Sequence, residues 1–425
     1  MRLVDDFPFY ADLIAPVHNR SLRDIHATRG HNEIVIDEDW AIEVAAHCPQ
    51  AEVAAADLRE FFATAMGIEL RASAPRRLVL DVDPSIGASP EAHLVNVAPE
   101  RVVIAGAGPA GLLHGVVFIE DLMRARRAPF LPTGRRVRSP LFRHRIHRSP
   151  VSPFYVEELT GYKGTPYTVS TPQRPLRYTG WEHEDAGPDA FYHDNLLRLL
   201  MHHGMNGIWI RGALCRLAKV DVFPEFGDVA EPAMEQLRRL CERAGRFGIT
   251  VYLYFNEPLG LPVDDPFWQK YPECRGSYEA YHDRYCMCTT DERVKEFLRQ
   301  GMRYIFENVP QLGGVILISA SEFTTHCYCH VPTHPGAPSK EEYVRQGRLC
   351  PRCAEREAQE VVAEVITLIR DGVKAANPSA QVIAWNWSWN MYEPDPQEGI
   401  LQRLPEDVLV MGDFERGIKT QALGF

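Results

Sequence analysis

No run of this sequence is apolar for long enough to cross a bilayer as a helix, so a membrane role is not expected. The N-terminal stretch MRLVDDFPFYADLIAP carries acids early and lacks the positively charged segment leading into an apolar one that marks a secretory leader. Positive charge is also in short supply, since 46 Lys and Arg face 57 Asp and Glu for a net charge of −11 at pH 7. There is no basic stripe with interleaved aromatics, which argues against nucleic acid as a partner. Without a leader, a reducing, cytoplasmic setting is expected, where ten cysteines hold metal or stay as thiols rather than form disulfides. What is present is ordinary globular material, 45% hydrophobic and 24% charged. At 425 residues the chain exceeds one ordinary core, so two domains are expected, and room remains for a homo-oligomer.

Residues 1–135 read as a small α+β domain. EIVID (Glu33 to Asp37) and RLVLDVD (Arg77 to Asp83) are short strands, and Glu52 to Met66 places apolar residues at helical spacing up to a Gly67 stop. AHLVNV and RVVIAGA, separated only by Ala98, Pro99 and Glu100, predict an antiparallel hairpin. A helix from Ala110 to about Arg124 follows, with Pro109 at its start. Gly106, Gly108 and Gly111 spell G-x-G-x-x-G after a strand and before a helix, the fingerprint of a flavin or nicotinamide site. The hairpin before it, and the basic tract APFLPTGRRVRSP where a parallel strand ending in an acid should come, favour a tight packing turn instead. No organic cofactor is therefore expected.

Residues 136–425 alternate helix and strand. FRHRIHR, NGIWIRG, ITVYLYFNEP, GVILIS, QVIAWNWSW and DVLVMGDFERG are six strand candidates, and most of the helices between them stop at Gly or Asn-Pro. This alternation predicts a parallel sheet, best fitted by a TIM (β/α)8-type barrel that is incomplete at its C-terminal side, since closure takes eight strands. Active sites of such barrels lie at the C-terminal strand ends. Those ends offer Arg145, then Arg211, then Asn256 and Glu257, then Glu322, then Trp385, Asn386, Trp387 and Trp389, and finally Asp413 and Glu415. Aromatic faces with carboxylates, amides and guanidinium groups suit a sugar ring, and a raised-pKa acid suits cleavage of its glycosidic bond. Plainer roles compete: barrel packing for the tryptophans, charge neutralisation for Arg145 and Arg211, and ordinary loop carboxylates for Glu257 and Glu415. His202 and His203, at a helix end, fit a dipole interaction.

The loop over 323–353 holds Cys327, Cys329, Cys350 and Cys353, a C-x-C and a C-x-x-C pair separated by a Pro/Gly/Ser-rich segment. Four thiolates suit a structural tetrahedral zinc that clamps the loop after the fourth strand. His326 or His330 can replace one thiolate, and an iron–sulfur cluster or unligated thiols are the alternatives. Cys286 and Cys288 form a second C-x-C with no matching pair, read as core or free thiols.

A small α+β domain ending in strand, glycine turn and helix, an entry segment SPLFRHR (Ser139 to Arg145) and an acid after the fourth barrel strand resemble the family 20 β-N-acetylhexosaminidases. The same domain order is similar to the family 67 α-glucuronidases. The resemblance implies a glycosidase of the α+β domain plus barrel type acting on a hexosaminide or uronide-type oligosaccharide, with Glu322 as general acid/base. The family pairs that acid with a preceding Asp that orients the substrate acetamide. This chain has Ser321 there, which leaves the acetamide-assisted mechanism and the N-acetyl substrate open. A non-catalytic carbohydrate-binding barrel is the alternative from another class.

Overall fold

The computed structural model describes residues 9–148, 192–320 and 323–412. They divide into two compact units, one drawn from Met1–His147, Tyr192–Ile208 and Leu240–Thr250, the other from the remainder.

In the first unit, β1 (Glu33–Val35) pairs antiparallel with β6 (Phe130–Pro132). The main sheet contains β2 (Trp40–Val44), β3 (Arg76–Val82), β4 (His93–Val97), β5 (Arg101–Gly106) and β7 (Gly134–Arg138), in the order β2-β3-β5-β4-β7. β4 and β5 form the expected antiparallel hairpin, while β3 and β5 run parallel. Helix α1 (Pro49–Glu60) continues through a wide turn, Phe61–Met66, to Gly67 at φ 65°, a left-handed stop that favours glycine. Helix α2 (Pro109–Arg126) buries Leu112, Leu113, Val116, Ile119 and Met123 at helical spacing.

The G-x-G-x-x-G segment is a packing turn. A Cβ on Gly106 would stand 2.1 Å from the Leu112 backbone nitrogen, and one on Gly111 would stand 2.3 Å from the Ala92 carbonyl oxygen. The backbone of α2 lies directly against the strand end, so these glycines are consumed by that contact.

The barrel strands are β8 (Ile146–Arg148), β9 (Gly207–Arg211), β10 (Thr250–Phe255), β14 (Gly314–Ile318), β15 (Gln381–Trp385) and β16 (Val408–Met411), in the sheet order β16-β15-β14-β10-β9-β8. Sequential neighbours with no reversal, joined by α3 (Asp194–His202), α4 (Ala230–Arg246), α5 (Glu292–Asn308) and α6 (Ala358–Ala376), make a parallel half-barrel of the expected kind. Every residue of β14 is buried, as its unbroken apolar run requires. Helix α5 is capped by the Asp291 carboxylate accepting from Arg293 N. It buries Phe297, Leu298, Met302, Ile305 and Phe306, each worth about 1.5–3 kcal/mol.

Between β10 and α5 lies a small antiparallel sheet absent from the sequence expectation: β11 (Leu261–Pro262), β13 (Arg284–Met287) and β12 (Arg275–Glu279), in that order. Its strands are short, RGSYE against RYCM, and too brief to carry a period-2 signal.

Gly106→Ala is expected to destabilise the protein by about 1–3 kcal/mol, the cost of forcing extra volume into a packed turn. Chemical denaturation checks it; a neutral substitution would return the segment to the cofactor reading.

Candidate functional site

Strand β9 alternates so that Ile208 and Ile210 are buried while Trp209 and Arg211 share the half-exposed face. The Trp209 ring meets Tyr254 edge-on at 4.5 Å between centroids and lies 6.0 Å from Trp385. Trp387 meets Trp385 edge-on at 5.5 Å. The Arg148 guanidinium is 5.8 Å from the Trp209 ring, and that of Arg211 is 3.9 Å over Phe323. Arg211 Nη2 also donates to Asn256 Oδ1 at 2.8 Å. Arg211, Asn256, Trp385 and Trp387 are thus brought to one mouth, joined by Arg148, Trp209, Tyr254 and Phe323.

Other expected site residues lie elsewhere. Glu322, Asp413 and Glu415 are outside the described residues. Arg145 precedes β8 and bonds Glu91 Oε1 at 2.7 Å and the Gly204 carbonyl at 2.5 Å, so it serves the first unit. Burial raises the Glu91 carboxyl, but hydrogen bonds from His114 and Arg145 outweigh it and bring the group down to about 2. Glu257 is buried, with Oε1 accepting from Leu214 N at 2.6 Å and Oε2 from Leu259 N at 2.8 Å. Burial pushes its carboxyl up to about 7; the group ties two loops rather than facing the mouth. Asn386 follows β15 and donates to Gln397 Oε1 at 3.4 Å. The three tryptophans do not alternate along one strand: β15 ends at Trp385, Ser388 turns left-handed, and Trp389 starts a short turn, Trp389–Met391. Trp389 is fully buried, its Nε1 donating to Ser319 Oγ at 3.0 Å, so it belongs to the core.

The thiol cluster differs from expectation in one member. Cys288, Cys327, Cys350 and Cys353 are buried, with their sulfurs all within 4.8 Å of one another. Cys329 instead lies 3.7 Å from Cys286, sulfur to sulfur. Cys288 stands just past β13, at the edge of the unanticipated sheet, and its amide donates to the Cys274 carbonyl. Ser277 Oγ donates to the Cys327 carbonyl at 2.8 Å and accepts from Cys350 N at 2.9 Å, joining the two loops. Metal–sulfur bonds of about 2.3 Å in a tetrahedron place sulfurs about 3.8 Å apart. The Cys288 sulfur lies 3.8 Å from that of Cys350 and 3.5 Å from that of Cys353. The cluster therefore fits a tetrahedral metal.

A buried charge network in the first unit had no sequence signal. Asp57 accepts from Arg198 Nε at 2.8 Å, His202 Nε2 at 2.9 Å and His18 Nε2 at 3.2 Å. Burial alone would raise its carboxyl, but these partners hold it well below the ordinary range. His202, in the last turn of α3, is thus also tied to the buried Asp57 carboxylate. Glu120 is fully buried with no hydrogen bond to either oxygen, and burial holds its carboxyl well above the ordinary range.

Asp57→Asn should cost about 3–5 kcal/mol, because it leaves the Arg198 guanidinium without its buried carboxylate. Glu120→Gln, which copies a neutral group, should cost far less at pH 7. Because the folded pKa of Asp57 is depressed, its stabilisation is present above the unfolded value and is lost as pH falls toward the folded one. Urea denaturation of both variants between pH 7 and pH 2 checks the ranking and the sign.

Residues 22–137 match the model of glycosyl hydrolase family 20, domain 2. No curated protein matches by sequence. Among solved structures, the chain is similar to a family 138 glycoside hydrolase targeting pectin rhamnogalacturonan II, at TM-score 0.56 and 13% identity over 88% of this chain and 38% of that one. It is similar to the Flavobacterium johnsoniae chitobiase at TM-score 0.53 and 11% identity, over 90% of this chain and 53% of that one. The Streptomyces coelicolor family 20 β-N-acetylhexosaminidase matches at TM-score 0.50 and 13% identity, over 95% and 71%. The chain thus spans roughly two fifths to a half of the first two of these proteins. At such identities the likeness is one of fold: a first domain resembling that of family 20, followed by a parallel half-barrel, the framework of family 20 glycoside hydrolases.

Proposed function

We propose that this protein is a glycoside hydrolase that cleaves a hexosaminide or uronide-type oligosaccharide, with Glu322 as the general acid. The observation that carries this reading is the convergence of Arg148, Trp209, Arg211, Asn256, Trp385 and Trp387 at the C-terminal ends of parallel strands, next to the end of β14. Glu322 follows β14 by a few residues, and Phe323 beside it in sequence lies under Arg211. Tryptophan faces bind the C–H face of a pyranose while the amide and guanidinium groups bind hydroxyls or a uronate carboxylate. An acid in an aromatic-walled site is raised toward neutral pH, which lets it protonate the leaving oxygen. Asp413 and Glu415, beyond the end of β16, are the candidates for the second carboxylate. The fold likeness to glycosidases supports the reaction class.

We also infer that the metal of the thiol cluster is zinc, held by Cys288, Cys327, Cys350 and Cys353. A closed set of four thiolates is structural; it tethers the loop after β14 to the β12–β13 hairpin.

Glu322→Gln should lower turnover of an aryl hexosaminide or aryl uronide by at least about 10²–10⁴-fold while leaving the unfolding midpoint unchanged. Trp385→Ala should weaken sugar binding about tenfold, or about 1.4 kcal/mol. Sugar affinity without turnover in the wild-type protein would instead make this a carbohydrate-binding barrel. For the metal, Cys288→Ser should lose sulfur-bound zinc and lower the melting temperature, whereas Cys329→Ser should retain the metal; mass spectrometry of the native protein separates the two.

A further inference from the structure

We propose, resting on the reading of the mouth as a sugar site, that it admits an acidic sugar, one carrying a carboxylate or a sulfate ester, and that Arg211 is the residue that selects it. Elsewhere in this unit arginines are matched by acids: Arg216 meets Asp228 at 2.6 Å, Arg293 meets Asp291 at 2.8 Å and Arg356 meets Glu360 at 2.8 Å. The two arginines of the mouth are different. Among the described residues, neither Arg148 nor Arg211 lies within ion-pair distance of a carboxylate.

Arg211 is held in place by neutral groups. Its Nη2 donates to Asn256 Oδ1 at 2.8 Å, and its guanidinium stands 3.9 Å over the Phe323 ring and 5.6 Å from the Tyr254 ring. Asn256 is itself buried, and its Nδ2 donates to the Ile318 carbonyl at the end of β14 at 3.4 Å, so the amide directs the guanidinium from a fixed point. These contacts orient the planar fork without placing negative charge beside it, and Nε and Nη1 make no hydrogen bond among the described residues. Glu257, next in sequence to Asn256, does not cancel the charge. Both its oxygens are taken by the Leu214 and Leu259 amides, and burial pushes the carboxyl up to about 7.

A second cation borders the same aromatic wall. Arg148 lies 5.8 Å from the Trp209 ring, which meets Tyr254. A chain of net charge −11 thus presents two guanidinium groups without acids at one place. A neutral sugar would offer only hydroxyls to them. An oxyanion supplies the charge-assisted, two-pronged partner that an oriented guanidinium fits, and the aromatic faces around Arg211 keep part of the water that would screen the pair away.

The test is calorimetric titration of the full chain with methyl glycosides of both anomers: glucuronide and galacturonide, a 6-sulfated glucoside, the plain glucoside and the N-acetylglucosaminide. At least one of the acidic sugars should bind about tenfold or more tightly than its neutral counterpart, with the difference shrinking as salt is raised. Whether the uronides or the sulfated sugar gains names the source of the anion. Arg211→Gln should remove most of that preference while leaving the affinity for neutral sugars within about twofold, as a charge-assisted contact to the anion alone requires. Arg148→Gln, a change at an exposed side chain, should reduce the preference by a smaller factor, and keeps the test open should Arg211→Gln fold poorly. Neutral sugars bound as tightly as acidic ones, or the preference kept by both variants, would overturn the proposal. Because binding is read rather than turnover, an acidic preference without hydrolysis would leave this selection standing while removing the hydrolase reading, and hydrolysis of neutral glycosides without an acidic preference would do the reverse. No affinity for any of these sugars would overturn both the sugar-site reading and the selection that rests on it.

Discussion

The register of β14 between β10 and β15, with Ile316 opposite Tyr254 on one side and Ile383 on the other, aligns the strand ends that form the mouth. A slip of one residue would exchange the faces of every side chain on the strand, and with both faces buried each side chain would then meet neighbours of the wrong shape. Gly314 makes the close approach possible at the strand's start: its φ of 152° and the 1.9 Å that a Cβ would leave to the Gln381 carbonyl oxygen admit no other residue. Trp209, Arg211, Asn256 and Trp385 come together because parallel pairing propagates that register outward.

The loop beyond β14 is long, and a loop of that length is expected to be mobile unless something holds it. Here buried polar groups do so. His326 Nε2 reaches the Ser319 carbonyl at 2.5 Å, Tyr328 OH donates to the Cys353 and Arg356 carbonyls, and Tyr392 OH donates to the Tyr328 carbonyl. Each such bond contributes only about 1 kcal/mol, but leaving any of these buried groups unpaired would cost more. Thiols on the same loop then meet the β12–β13 hairpin, so a metal held there would couple its binding to loop order. The half-exposed aromatic face and the four-thiol insert thereby share one scaffold.

Much of the scaffold was legible before any coordinates. Period and punctuation identify the barrel helices, because an amphipathic stripe and a glycine stop are local properties. The β4–β5 hairpin followed from a three-residue connection. The reading of the glycine motif as a close-packed turn matches the short distances a Cβ would meet at Gly106 and Gly111. The β11–β13 sheet escaped because its strands are too short to show alternation, and Cys288 escaped with it. Cys329 was chosen over Cys288 on spacing alone, but Cys327 and Cys329 lie in a turn, where residues two apart need not share a face, and their sulfurs meet different partners.

Element type, the direction of alternation and the apolar identity of β14 were determined by the sequence alone, since they depend on side chains a few positions apart. Which thiol completes the quartet, whether Arg145 serves the mouth or Glu91, and whether Trp389 faces sugar or core were decided only by the tertiary structure. Those outcomes depend on burial and on partners 40 to 70 positions away, such as Glu91 for Arg145 and Ser319 for Trp389. Local spacing carries no information about such contacts, because the chain's return path sets which surfaces meet.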